Sequence, residues 1–568
     1  MKCSCIIAII TLLTLCSVFG SNGYEITSDS VYKHISVLAH DSLEGRRVGD
    51  PSELVAANYI ASIFKSAGIE PKGDNNTFLQ SFTFIRSIDL GDDNSLTING
   101  IELLINKDYI PLKQSASISF DFSEIVFVNY GITIENSNYD DYKNLDVAGK
   151  AVLAKRFAPS SDDNPHVDFS KYESITDKIN NAQSHNAKAL FLITPENEKD
   201  TLIQNIIANI TPKDIPIIFI RQNALKKLQL DLNQPAILTA KGTTDIVKTR
   251  DTAYNVIGYI PTTNDTTVII GAHFDHLGWG GHTSQYKGSE PMIHNGADDN
   301  ASGTAALIEL ARKCNSQKEN LKYSLLFIGF TGEEFGLLGS GHFAQHMTID
   351  STKVRMMLNM DMIGRLNKQE DGLAILGTGT CDEFKIYFDS LKQNDLKLSL
   401  KESAVSTSDQ TIFYNRKIPS LHLFTGAHFD YHKPSDDIEF IDAEGIVKVA
   451  SFTLDIINYF DNYDGSLTFR KTKSSDKSKK RSHFSVTLGI IPDHIAEIKG
   501  IKIDGVSPEK PGEKAGMLKG DIIIKMGTKN IGDIYDYMSM LGKFSKGDTT
   551  QVVIQRGDST LTLEVIFD

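Results

Sequence analysis

Five stretches of this chain are apolar on both sides at once: Val268–Ala272 (VIIGA), Tyr323–Phe330 (YSLLFIGF), Val354–Met360 (VRMMLNM), Leu373–Gly377 (LAILG) and Pro419–Phe424 (PSLHLF). A strand with one wet face alternates polar and apolar residues. These runs do not alternate, so both of their faces must be covered. Helical stretches such as Ser302–Cys314 (SGTAALIELARKC) separate them. Apolar strands alternating with helices specify an α/β fold, a mixed and mostly parallel sheet with helices on both faces. Ligands of such sheets collect beyond the carboxyl ends of the strands, so the residues that follow each run carry the functional argument.

Those residues are acids and histidines. His273 and Asp275 stand in GAHFDHLG, Asp298 and Asp299 in NGADDNASG, Glu333 and Glu334 in FTGEEFGLLGS, Asp361 in NMDMIGR, and His432 in FDYHKPSDD. Any one of these clusters is a common loop or helix-start composition. Placed alike on one covered sheet, they would converge on one rim, where several carboxylates repel unless cations neutralise them. Oxygen and imidazole donors without thiolate suit zinc, with manganese or cobalt as alternatives. Asp275, two residues after His273, leans the same way in an extended chain and would orient the histidine ring. The pentapeptide GAHFD occurs twice, at Gly271–Asp275 and Gly426–Asp430.

The flanks bound the rest. The start, MKCSCIIAIITLLTLCSVFGSNG, has one Lys, an apolar run from Ile6 to Val18 and small residues before Ser21. It reads as a secretory signal over residues 1–20, too short for a membrane span of about 20 apolar residues. Cys16 leaves a lipoprotein anchor as the lesser alternative. Cys3, Cys5 and Cys16 lie in this leader, so only Cys314 and Cys381 remain beyond it, too few for a disulfide framework. The net charge of −14 argues against a nucleic-acid partner. A helical pattern runs over Ser28–Pro71, with Gly68 placed to stop it. Short β-rich runs over 124–245 mark a separate small α/β unit. The Lys/Ser-rich stretch Arg470–Ser482 reads as solvated linker, within a 464–482 connection, and 483–568 as a compact β-rich unit.

Together these motifs give a family resemblance. The ordered set AHFDH, GADDNASG, GEEFGLLGS, NMDMIGR and YHKPSDD resembles the two-zinc aminopeptidase and glutamate-carboxypeptidase type metallopeptidase family, over 21–123 and 246–463. LAHDSLEGRRVGD (Leu38–Asp50) resembles the N-terminal segment of its secreted members. YDDYKNLDVAGKAVLAKR (Tyr139–Arg156) resembles a protease-associated domain, and TLGI (Thr487–Ile490) with EKAGMLKGDIIIKMG (Glu513–Gly527) resembles a PDZ domain. The resemblance implies two Zn2+ per chain. His273 and Asp361 would hold one, Glu334 and His432 the other, and Asp299 both. It leaves Glu333 as general base and Tyr431 as donor to the oxyanion, puts Asp275 behind His273, and implies a cis peptide at Asp299–Asn300. In the second GAHFD the expected ligand lies outside the pentapeptide, at His432, and His428 is a loop residue. His276, His282 and His294 match no ligand position. The implied activity is a secreted zinc exopeptidase acting on peptides, first of all an aminopeptidase. The alternatives are a carboxypeptidase or dipeptidase on the same site and a non-catalytic peptide-binding protein. The PDZ-like unit implies binding of peptides or protein C-termini.

Overall fold

A computed structural model describes residues 24–567, apart from 135–138, 160–168, 170–171, 197, 202–212, 231–237, 282, 369–371, 392–395, 405–407, 473–485, 493–499, 507–509, 528, 533–536, 538–539, 542–543, 545 and 558. The leader and most of the basic linker therefore lie outside the described residues. Among those described, no helix is long and apolar enough to cross a membrane.

The chain divides into two compact units, one of 1–82 with 253–568 and one of Thr83–Thr252. The first contains a nine-stranded sheet. Its centre is four mutually parallel strands, which we number β1 (Thr267–His273), β2 (Ser324–Phe330), β3 (Val354–Met360) and β4 (Ser420–Phe424), in the order β2-β1-β3-β4. Antiparallel neighbours close both flanks: Ile246–Ile260 against β2 and Leu373–Leu376 against β4. The sheet is thus mixed and mostly parallel at its centre, as the apolar runs require.

Alternate residues of these strands enter two different cores. Val268, Ile270, Leu325, Phe327, Met356 and Leu358 pack with the helices Ser28–Leu38, Pro51–Ser66, Gly303–Ser316 (α1) and Ala443–Asn462. Ile269, Leu326, Ile328 and Met357 pack on the other face with Phe343 and Phe413, from the helices Leu338–Gln345 and Gln410–Asn415. With side chains pointing alternately up and down, two covered faces require a run without polar gaps. α1 is buried on nearly all sides, which accounts for its high apolar and alanine content.

Three expectations need correction. The helical pattern over Ser28–Pro71 is two helices, Ser28–Leu38 and Pro51–Ser66, parted by a turn that carries Arg46 at φ 49°. The inserted unit begins at Thr83, not at 124, because Ser95–Ile98, Ile101–Leu103 and Tyr109–Pro111 belong to its eight-stranded sheet. That unit has its own cores, one around Phe191 and Ile218, the other around Leu190 and Phe219. The linker is exposed at Arg470 and Lys471, as expected, but is pinned to the first unit as far as Thr472. Arg470 donates its backbone N–H to Thr380 O at 2.6 Å, the Phe469 ring lies 5.4 Å from that of Tyr414, and Thr472 is buried with its N–H on the Tyr414 hydroxyl. The C-terminal strands, from Ile490–Pro492 to Ser559–Ile566, form a six-stranded sheet over a separate core that includes Leu488, Ile503, Ile523 and Val552.

Candidate active site

All the expected metal-type residues emerge at the carboxyl edge of the four parallel strands. His273 is the last residue of β1, Asp361 follows β3 directly, and Glu333 and Glu334 follow β2 after Thr331-Gly332. His432 lies in the loop after β4, and Asp299 in the irregular turn Ala297–Ser302 that opens α1. His273 Nε2 lies 3.2 Å from Asp361 Oδ1 and 3.4 Å from Asp299 Oδ1. His432 Nε2 lies 3.1 Å from Glu334 Oε2 and 3.2 Å from Asp299 Oδ2. Asp299 therefore presents one oxygen to each imidazole.

Backbone donors and buried partners hold this arrangement. The Asp299–Asn300 peptide is cis, as the resemblance implies. Asp436 accepts the backbone N–H groups of both Asp298 and Asp299 at 3.0 Å and is paired with Arg365 at 3.0 Å. Asn300 donates to Met360 O and accepts from Gly303 and Met362 N–H, which links the turn to β3. Arg46, wholly buried, donates to the carbonyls of Phe274, Leu38, Asn295 and Gly296. One guanidinium thus ties the loop after His273 to the loop before Asp299. Burial lowers its pKa to about 10, opposed by the carboxylates of Asp275, Asp299, Asp436 and Glu334.

The remaining expected residues are also at this edge. Asp275 Oδ1 lies 3.6 Å from His273 Nδ1 and accepts Glu333 N–H at 3.2 Å, so it braces two loops. Burial, followed by repulsion from Glu334 and Asp361, drives the Glu333 carboxyl well up; His273 opposes this. The Tyr431 ring stacks on His432 at 3.8 Å, and burial and the surrounding carboxylates raise its hydroxyl. The two GAHFD copies differ as expected: His273 faces the carboxylate cluster, and His428 sits behind it, its Nε2 3.1 Å from Asp298 Oδ2. His294 is held by Ser284 and by the Met292 carbonyl, and His282 lies outside the described residues.

Sequence reading missed four residues. His276 is buried beside Glu334, its Nδ1 2.9 Å from Oε1. Asp409, just before the helix Gln410–Asn415, is buried near His273, and burial lifts its carboxyl to about 7. Arg46 and Asp436 act mainly through backbone groups. Only His276 carried a local signal, its place directly after Asp275.

The donor set fits cations. Three carboxylates and two imidazoles converge in a buried edge, and Glu334 Oε1 has no hydrogen-bond partner. Donor separations of 3.1–3.4 Å match the edge of a tetrahedron with vertices ~2.0–2.1 Å from a shared centre, the bond length of zinc to nitrogen or oxygen.

Residues 255–457 match peptidase family M28, and residues 468–567 match the PDZ domain. Over 118 residues the chain is 38% identical to a "Probable leucine aminopeptidase" of Arthroderma otae, covering 20% of this chain and 30% of that one. A longer match of 291 residues, 27% identical, is to "Aminopeptidase YwaD" of Bacillus subtilis, over 49% of this chain and 57% of that one. Both matches span less than two thirds of the relative's own length. Among solved structures, an aminopeptidase from Aneurinibacillus sp. strain AM-1 aligns over 79% of this chain and 97% of its own, at 23% identity and a TM-score of 0.46.

Proposed function

We propose that this chain is a secreted zinc-dependent aminopeptidase that removes N-terminal residues from peptides. The observation that carries this reading is Asp299, whose two oxygens face His273 and His432 separately. His273, Asp361 and Asp299 would hold one zinc; Glu334, His432 and Asp299 would hold the second. Bound there, the two ions supply Lewis acidity at the scissile carbonyl and to the attacking water.

The protein's own groups do the rest. Glu333 takes the proton of the attacking water and returns it to the departing amine. Tyr431 donates its hydroxyl to the developing oxyanion. Asp275 keeps the His273 ring and the Glu333 backbone in register. Carboxylates at the rim receive the ammonium of a free N-terminus. The inserted unit serves as a protease-associated domain, and the PDZ domain binds peptides or protein C-termini by strand addition.

The test is zinc content together with hydrolysis of short peptides, free and N-acetylated, by wild type and Glu333→Gln. Two zincs, release of N-terminal residues from free peptides only, and a metal-loaded variant slowed by at least about 10³-fold are expected, since general-base catalysis contributes ~10²–10⁴-fold. Cleavage of acetylated peptides would sink the aminopeptidase reading.

A further inference from the structure

The second centre has one more imidazole than the five assigned side chains provide. His276 is 1% exposed. Its Nδ1 lies 2.9 Å from Glu334 Oε1 and 3.8 Å from Asp299 Oδ2. His432 reaches the other oxygen of Glu334 and the same Oδ2 of Asp299. The two rings face each other edge-on, with centroids 5.8 Å apart. A histidine kept only to brace Glu334 would donate one ring nitrogen to it in line and give the other to a carbonyl. Here neither nitrogen of His276 has a hydrogen-bond partner, and neither has Glu334 Oε1. Buried polar atoms are very rarely left so, and an imidazole nitrogen and a carboxylate oxygen 2.9 Å apart without a hydrogen bond between them are placed as two donors to one cation.

The surrounding backbone reserves room for this ring. A Cβ on Gly296 would lie 2.5 Å from both Cγ and Cδ2 of His276, and Gly296 adopts φ +58°. The glycine before the Asp298-Asp299 pair is what lets the imidazole lie against the cluster.

We propose that His276 is a ligand of the second metal centre, so that His276, His432, Glu334 and Asp299 form a four-donor site beside the three-donor site of His273, Asp361 and Asp299. This rests on the two-zinc reading above. Four protein donors close a tetrahedral site, and three leave a position open. The second ion would then be the more tightly held of the two.

The test is chelator competition on metal-loaded wild type and His276→Gln, with zinc counted per chain. Wild type is expected to lose its zincs in two steps. In His276→Gln the tight step should weaken by at least about ten-fold, since loss of even an outer-sphere partner of a metal ligand costs ~10–100-fold. Two zincs held by the variant as tightly as by wild type overturn the inference and leave the two-zinc reading standing. A wild type that holds no zinc overturns both. If the variant does not fold, wild type loaded with ¹¹³Cd decides. Metal-coupled ring signals from three histidines, two of them on one cadmium, support the proposal, and signals from only two histidines overturn it.

Discussion

Arg46 shows how much of the site rests on a residue that touches no expected ligand. It donates to four carbonyls from three segments and is wholly buried. Removing one partner of a buried hydrogen bond costs ~1–3 kcal/mol for each group left unmet. Arg46→Ala should therefore lower stability by roughly 3 kcal/mol or more, read from chemical denaturation. Arg46→Lys should recover only part, because an ammonium cannot reproduce the planar fork. Equal stability of the alanine variant and wild type would contradict the clamp. The gathering of His273, Glu334, Asp361 and His432 at one rim was legible in the sequence because each comes after a strand apolar on both faces; Asp299, which opens α1, and the ligand roles themselves were implied by the family resemblance. Arg46 and Asp436 were not legible in the same way. They stand inside the motifs LAHDSLEGRRVGD and YHKPSDD, but their partners are mainly backbone groups, which side-chain pattern does not reveal.

The first helix is fixed to the catalytic body by a polar pin. Thr27 caps the helix Ser28–Leu38, and Glu309 of α1 accepts Tyr24 Oη, Ser30 Oγ, His34 Nε2 and Arg312 Nη1 at 2.5–3.0 Å. Burial alone would raise this carboxyl. The hydrogen bonds from His34, Ser30 and Tyr24 overcome it and hold the pKa at about 2, against an ordinary 4.5. A depressed carboxylate contributes stability that is present above pH ~4.5 and is lost as pH falls from there towards 2. The contribution is on the order of 2 kcal/mol after allowance for partial solvent screening. Glu309→Gln should flatten the acid limb of the stability–pH curve in that window and leave its slope above pH 5 unchanged. Parallel acid limbs for the two proteins would count against the pin. At this scale the sequence misled twice. The turn between the first two helices interrupts an apolar periodicity that reads as continuous. The strands Ser95–Ile98, Ile101–Leu103 and Tyr109–Pro111 are too short to read as the start of the inserted unit.

For the whole molecule, the separation of cores decides what can be removed. The C-terminal core, with Leu488, Ile503, Met526 and Ile554, shares no residue with the cores on either face of the catalytic sheet. The catalytic body, by contrast, extends through Thr472, whose burial against Tyr414 closes its edge near Cys381 and Thr380. A chain cut at 464, where the connection was expected to begin, would expose that edge. A chain ending at Thr472 would keep it intact. The latter should fold, retain kcat/KM on short peptides within about two-fold, and lose one transition in calorimetry, since domains with separate cores unfold as separate units. Chains ending at 464 should melt lower than chains ending at Thr472, because the Phe469 and Thr472 contacts are gone. The comparison also separates two uses of the PDZ domain. If it captures peptides for the active site, the truncation at Thr472 should leave short substrates untouched and raise KM only for long ones. If kcat/KM on dipeptides and tripeptides also falls more than ten-fold, the PDZ domain is part of the catalytic unit and the independence argued from the cores is wrong.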